Sequence, residues 1–253
     1  MTSKTHDTNV ATQFGPRAAA YVASAIHAAG EDLQEIAILA EQRRPRRALD
    51  LGCGGGHVSY HVAPHAAEVV AFDLSQDMLD VVTQEAGLRV LTNIKTRQGN
   101  VEDLPFADGT FDFVASRFSA HHWHDLGAGL REARRVLAKG GTAIFSDTIS
   151  PGSALLDTHL QAIELLRDPS HVRDYSAAEW LSALEAAGFT AQKTKPRRLR
   201  LEFSTWIARM ATADTHVRAI RALQTTMPRD VTEHFELEAD GSFSLDAMIV
   251  EAR

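Results

Sequence analysis

One cysteine in 253 residues, Cys53, leaves no internal disulfide framework and no cysteine-built zinc site, and it fits a reducing compartment. No apolar run approaches the roughly 18 to 20 residues that span a bilayer, so no membrane span is expected. The opening MTSKTHDTNVATQ has neither a basic n-region nor an apolar h-region, and a cytoplasmic location follows as the expectation. Positive charge is also short: 26 Lys and Arg stand against 33 Asp and Glu, a formal net charge of −7. That balance argues against a nucleic-acid partner, whose phosphate backbone is held mainly by basic residues. Two basic clusters depart from the acidic average, Arg43, Arg44, Arg46 and Arg47, and then Lys193, Lys195, Arg197, Arg198 and Arg200. Both read as solvated faces or strand-edge protection.

What is present is a globular composition, 44% hydrophobic and 23% charged, with enough length for one large α/β domain or two small ones. Apolar residues at three- and four-residue steps predict helix from Arg17 to Gln42, with Gly30 splitting it and Pro45 ending it. Strand and helix patterns then alternate. Strands are expected at Arg47–Leu51, Glu68–Phe72, Ile94–Gln98, Phe111–Ser116 and Gly141–Asp147, with helices from His57, over Gln76–Gly87 and over Leu126–Leu137. Five strands separated by helices imply a doubly wound parallel sheet, because parallel neighbours need long crossovers. After Ser150 the pattern turns helical, to about Leu166 and again from Ser176, where Glu179 three residues on makes a capping box. Strands on either side of Pro196, a helix over Trp206–Leu223 and a last strand over Phe243–Glu251 complete the chain. The late helices read as a cap over one end of the sheet, so residues 1–253 form one domain: an N-terminal helical lid (1–45), a cofactor-binding core (46–150), and helical cap insertions with the final strands (151–253).

The sharpest local signal is Asp50-Leu51-Gly52-Cys53-Gly54-Gly55-Gly56-His57, after a strand and before a helix. Glycines at such a turn let backbone approach a ligand and aim amides at it. The spacing is G-x-G-x-G and no Lys-Ser/Thr follows, so a phosphate-cradling P-loop is disfavoured. Cys53 reads as a small buried hydrophobe. Asp73 ends the second strand, 21 residues beyond Gly52, where a carboxylate suits a ribose 2′,3′-hydroxyl pair. The plainer reading of Asp73 is a cap for the helix that starts near Gln76, a role open also to Ser75.

Gly99-Asn100-Val101-Glu102-Asp103-Leu104-Pro105-Phe106 follows the third strand, and Asp108-Gly109-Thr110-Phe111-Asp112 turns into the fourth. With Asp50 and the glycines, and with Glu132-Ala133-Arg134-Arg135-Val136-Leu137-Ala138-Lys139-Gly140-Gly141, this order of motifs resembles the class I S-adenosylmethionine-dependent methyltransferases. The type-11 branch, which holds the ubiquinone and menaquinone C-methyltransferases, is the nearest in appearance. The likeness covers about Ala48 to Asp147. It implies a Rossmann-like seven-stranded sheet with the last strand antiparallel and S-adenosyl-L-methionine as cofactor. It further implies that Gly52, Gly54 and Gly56 pass under the cofactor, that Asp73 holds the ribose, and that Leu74 and Met78 or Val101 flank the adenine. Asp103 would accept from the adenine amino group and Asp50 would face the methionine ammonium. Asn100, Glu102 and Arg117 complete the expected cofactor-binding set.

Methyl transfer from a sulfonium is an in-line displacement, so the protein aligns acceptor and methyl, excludes water and, where needed, removes a proton. The acceptor belongs beyond the carboxyl ends of the strands. His121 and His122 lie there; His122 is expected first as a pocket residue, with a catalytic role as general base and a purely structural role as its other readings. Adjacent histidines on one short loop, without an i, i+4 pair, make no metal site. Phe14, Arg17 and Tyr21 share one helical stripe in the lid; Tyr21 is a candidate catalytic residue, and Arg17 and Tyr175 are candidate acceptor contacts beside His121 and His122. Arg17, Arg117 and Arg173 would suit an anionic acceptor. A small-molecule acceptor is expected, and a homodimer is left open. The rival classes are a nicotinamide-dependent oxidoreductase, which shares the glycine loop but is disfavoured by its spacing and by Asp103; a non-catalytic cofactor-binding protein; and an enzyme using the sulfonium for another reaction.

Overall fold

The computed structural model describes residues 5–14 and 30–253. Helices and strands are numbered within those residues. Helix α1 (His6–Phe14) stands apart from the segment expected to be helical; α2 (Glu31–Arg43) begins one residue after Gly30, which serves as its N-cap. The remaining predicted helix before Gly30, including Arg17, Tyr21 and His27, lies outside the described residues.

From Arg47 onward the alternation follows the hydrophobic pattern: β1 (Arg47–Leu51), α3 (His57–Val62), β2 (Glu68–Asp73), α4 (Gln76–Leu88), β3 (Ile94–Gln98), β4 (Phe111–Arg117), α5 (Leu126–Val136) and β5 (Leu137–Thr148). Beyond it come α6 (Ala154–Arg167), α7 (Ala177–Ala186), β6 (Ala191–Leu201), α8 (Phe203–Arg209), α9 (Asp214–Thr226), α10 (Arg229–His234) and β7 (Phe243–Ala252). The seven strands form one sheet in the order β3-β2-β1-β4-β5-β7-β6. The first five run parallel, and β7 is antiparallel to both its neighbours, β5 and β6. The order reverses between β1 and β4, and a crevice at the strands' carboxyl ends follows from that switch.

Burial explains the run of apolar central strands. Leu49, Leu51, Phe72, Phe111 and Phe145 pack with Trp123, Leu130 and Trp180 on one face of the sheet, while Leu33, Ile36, Val58 and Phe113 pack on the other. A separate cluster, Leu160, Ile163, Trp206, Ile220 and Val231 against Leu201, Phe243 and Leu245, fastens the cap to the ends of β6 and β7.

Two predicted elements need correction. Pro196 does not divide two strands; β6 runs through it. It is the outermost strand, where an absent N–H leaves no ladder bond unmade. Nor is Trp206–Leu223 one helix. The chain leaves α8 at Met210, Ala211 adopts a left-handed φ of 47°, and α9 restarts at Asp214. Apolar spacing alone carries no sign of that break.

Candidate active site

The turn between β1 and α3 needs its glycines, since Gly52, Gly54 and Gly56 have φ of 71°, 48° and 80°. Their settings differ. A Cβ on Gly54 would meet nothing within 4 Å, so this residue faces open space, whereas one on Gly52 would fall 1.9 Å from Ser119 Oγ and one on Gly56 would strike Tyr60. Several amides of the turn are occupied internally: Gly52 and Cys53 both donate to Phe72 O, and Gly56 donates to Cys53 O. Gly54 donates instead to Asp73 Oδ2 at 2.8 Å, and Ser75 N donates to Asp73 Oδ1 at 2.9 Å. These bonds fix the carboxylate at the tip of β2 while leaving lone pairs for further donors. The helix-cap reading of Asp73 passes to Ser75, whose hydroxyl accepts from Met78 N.

Asp50 is 2% exposed and takes two bonds from Ser59, N–H at 2.9 Å and Oγ–H at 2.7 Å. Burial outweighs them and pushes its pKa up to about 7. The Cys53 thiol is pushed well above its ordinary value, burial being the largest cause, which keeps it an unreactive small side chain.

A cleft opens at the sheet's switch point. Its near half is walled by Asp50, Gly52, Gly54, Asp73, Leu74, Met78, Asn100, Val101, Glu102 and Arg117, ten residues expected there from the sequence. Helix α1 covers this side: Asp7 and Val10 line the cleft, Asn100 Nδ2 donates to Asp7 Oδ2 at 3.0 Å, and His6 Nε2 lies 2.8 Å from His122 O.

Other expected residues stand elsewhere. Asp103 is exposed and outside the cleft, because its N–H folds back to Asn100 O in a turn that sends its side chain outward. Gly56 lies behind the wall as the cap of α3. Tyr175 is not in the wall; it is partly buried against the core cluster that includes Trp180. Arg173 is held by Asp157 and Glu179, and Arg117 by Asp32, in a buried pair with a second contact of 3.3 Å.

His121 and His122 both line the cleft, but their neighbours differ. His121 Nδ1 lies 2.5 Å from Asp147 Oδ1; burial would lower its pKa, yet Asp147 raises it to about 9. His122 Nδ1 faces Ser170 O at 3.1 Å and its pKa falls to about 3, first from burial and then from the charge on His121. A lowered pKa favours the neutral ring at His122.

The far half of the cleft holds residues the sequence did not single out: Arg167 at the end of α6, Leu199 and Leu201 on β6, Trp206 and Arg209 on α8, and Leu245 on β7. The one available signal was spacing, since Glu164 with Arg167 and Trp206 with Arg209 are i, i+3 pairs on a helix face. Arg167 Nη1 reaches Glu164 Oε2 at 3.2 Å and its guanidinium stacks 5.0 Å from the Trp206 ring. Among the described residues, no group of three or more His, Cys, Asp or Glu side chains is placed to hold a metal ion. Nor, among them, is any helix long and apolar enough to cross a membrane.

A family model described as a methyltransferase domain matches residues 49–145. The Bacillus subtilis (strain 168) uncharacterized methyltransferase YcgJ is 33% identical over 246 residues, 95% of this chain and 97% of that protein. The chain belongs to the class I S-adenosylmethionine-dependent methyltransferases. Within this family the Escherichia coli (strain K12) protein YafE is 48% identical over 201 residues, 79% of this methyltransferase and 97% of YafE. The crystal structure of YcgJ superposes with a TM-score of 0.84 at 30% identity, covering 88% of this chain and 97% of that one. That of the Bacillus halodurans C-125 protein BH2331 gives 0.85 at 30% identity, covering 88% and 99%. The family decides against the nicotinamide reading.

S-adenosylmethionine fits the near half. The open face at Gly54 admits a ligand, the fixed Asp73 carboxylate suits vicinal hydroxyls, and Leu74, Met78 and Val101 supply apolar walls. Asp50, held partly protonated by burial, would regain full charge beside an ammonium group.

Proposed function

We propose that this methyltransferase acts on a small molecule seated in the far half of the cleft, by in-line displacement. The observation that supports this is the continuity of one cavity from the glycine turn to a chamber of mixed character, with Leu199, Leu201, Trp206 and Leu245 as apolar walls and Arg167 and Arg209 at its polar end. Bound S-adenosylmethionine supplies a methyl group on a positively charged sulfur. The protein's part is orientation. Asp73, Leu74 and Asn100 fix the cofactor's nucleoside end, and Asp50 its amino-acid end. Apolar walls beyond them exclude water and press the acceptor toward the methyl, which removes the entropic cost of a bimolecular encounter. His121, held upright by Asp147, stands between the halves as a positively charged donor, and His122 is a wall rather than a base.

Incubation with isotope-labelled S-adenosylmethionine and a metabolite panel, read by mass spectrometry, tests the reading. A panel member heavier by the labelled methyl, formed together with S-adenosylhomocysteine, is the expected result. Consumption of the sulfonium without transfer to any acceptor would assign the site to another sulfonium reaction. A thermal shift with NAD and none with S-adenosylmethionine would remove the cofactor assignment itself.

A further inference from the structure

The far wall of the cleft contains a carboxylate whose hydrogen bonding is incomplete. Asp174, between α6 and α7, is 1% exposed and lines the cavity. Its Oδ1 accepts the Thr148 hydroxyl, but its Oδ2 has no hydrogen-bond partner among the described residues. His171 Nε2 stands 3.9 Å from that oxygen and lies closer, 2.8 Å, to Gln161 Oε1. A buried carboxylate oxygen without a donor is costly, and a proton or a ligand's X–H group would complete it.

Its surroundings reach the cofactor side through successive contacts. Thr148 follows Asp147, which accepts from His121 Nδ1 and, at 2.8 Å, from Ala120 N; next in the chain is Ser119, which touches Gly52. Glu164 from α6, Asp147 from β5, His121 from the loop after β4 and His171 from its own loop are the titratable groups around it. Burial first, then Glu164, raises the Asp174 pKa to about 7, against the opposing pull of His121. His171, pushed down to about 4 chiefly by burial, is neutral there.

We propose that Asp174 takes the acceptor's proton during methyl transfer, and that the acceptor atom is therefore a protic nucleophile, a hydroxyl oxygen or a neutral amine nitrogen. This rests on the methyl-transfer reading above. The acceptor X–H bond breaks and its proton passes to Asp174 Oδ2; the X–CH₃ bond forms, and the electron pair of the broken C–S bond stays on sulfur. The sulfonium's positive charge and the carboxylate's negative charge disappear together, so the step leaves the net charge of the cleft unchanged.

Three measurements on the whole chain test this. Calorimetry with S-adenosylmethionine comes first, on wild type and Asp174→Asn; equal affinities are expected, and failure of the wild type to bind would fall on the methyltransferase reading rather than on Asp174. Infrared spectra without substrate should show a carboxylic-acid C=O contribution that fades as pH rises through neutrality; Asp50 contributes to it in both proteins, and the difference spectrum between wild type and Asp174→Asn isolates the part that belongs to Asp174. Identical spectra for the two proteins below neutrality would overturn the assignment. With the acceptor found by the labelled-methyl screen, the new methyl should sit on oxygen or nitrogen. Asp174→Asn should lower kcat by about 100-fold or more with little change in KM, Asp174→Glu should restore part of it, and wild-type kcat should rise with pH and level off above neutrality. A product methylated on carbon or sulfur, or wild-type turnover by Asp174→Asn, would refute it.

Discussion

Arg117 and Asp32 form an ion pair closed off from water between the end of β4 and the first turn of α2, with side chains 4% and 7% exposed. Burial would raise the Asp32 pKa, but the guanidinium beside it outweighs that and holds it below the ordinary value. Losing one member of such a buried pair costs about 3 to 5 kcal/mol, so urea unfolding of Asp32→Ala should show a loss of that size. Asp73 carries a different kind of prediction. A charge-assisted hydrogen bond to a ribose hydroxyl is worth about 1.5 to 3 kcal/mol, and Asp73→Ala should weaken S-adenosylmethionine binding ten- to over a hundred-fold by calorimetry. His121 makes stability depend on pH. Its folded pKa of about 9 lies above the ordinary 6.5, so the contribution is full below about 6.5 and disappears as pH rises through 9. Melting temperature should fall across the alkaline part of that window in the wild type, and Asp147→Asn should flatten the slope. At this scale the near half of the cleft was legible, because Asp50, the glycines, Asp73 and Asn100–Glu102 sit at strand ends whose positions follow from the local pattern. Asp103 departs from Asn100, Val101 and Glu102 because the turn that closes on Asn100 O leaves its side chain exposed, and no residue type announces it.

Elements built on local chemistry were equally plain. Ser176 and Glu179 form the reciprocal capping box expected of them, with Glu179 Oε2 accepting from Ser176 N at 2.7 Å and Ser176 Oγ accepting from Glu179 N at 3.3 Å. Ser176→Ala should cost about 1 kcal/mol in thermal or urea unfolding and leave cofactor affinity unchanged. The far half of the cleft could not be assembled in the same way. Glu164, Asp174, Leu199, Trp206 and Leu245 come from five segments, and only the folding of α6, β6, α8 and β7 onto one another brings them to one wall. Helical and strand periodicity report which face of an element is buried; they say nothing about which distant element covers it. The same limit hid the break after α8, where a left-handed Ala211 turns the chain without glycine or proline to mark it.

For the whole molecule, the cap's apolar cluster includes Leu201 from β6 and Phe243 and Leu245 from β7, strands that continue the central sheet. Cap and core share side chains, so differential scanning calorimetry should show one transition, with S-adenosylmethionine moving it upward as a ligand of the folded state does. The same sheet has two outer strands, and both are cationic: Lys95 and Arg97 on β3, and Lys193, Lys195, Arg197, Arg198 and Arg200 on β6. Another molecule's strand docking on either edge would strip water from a row of charges, and on β6 it would also meet Pro196, which has no N–H to offer. Sheet-by-sheet polymerisation is thereby opposed at both growth points, although the strands are long and well paired.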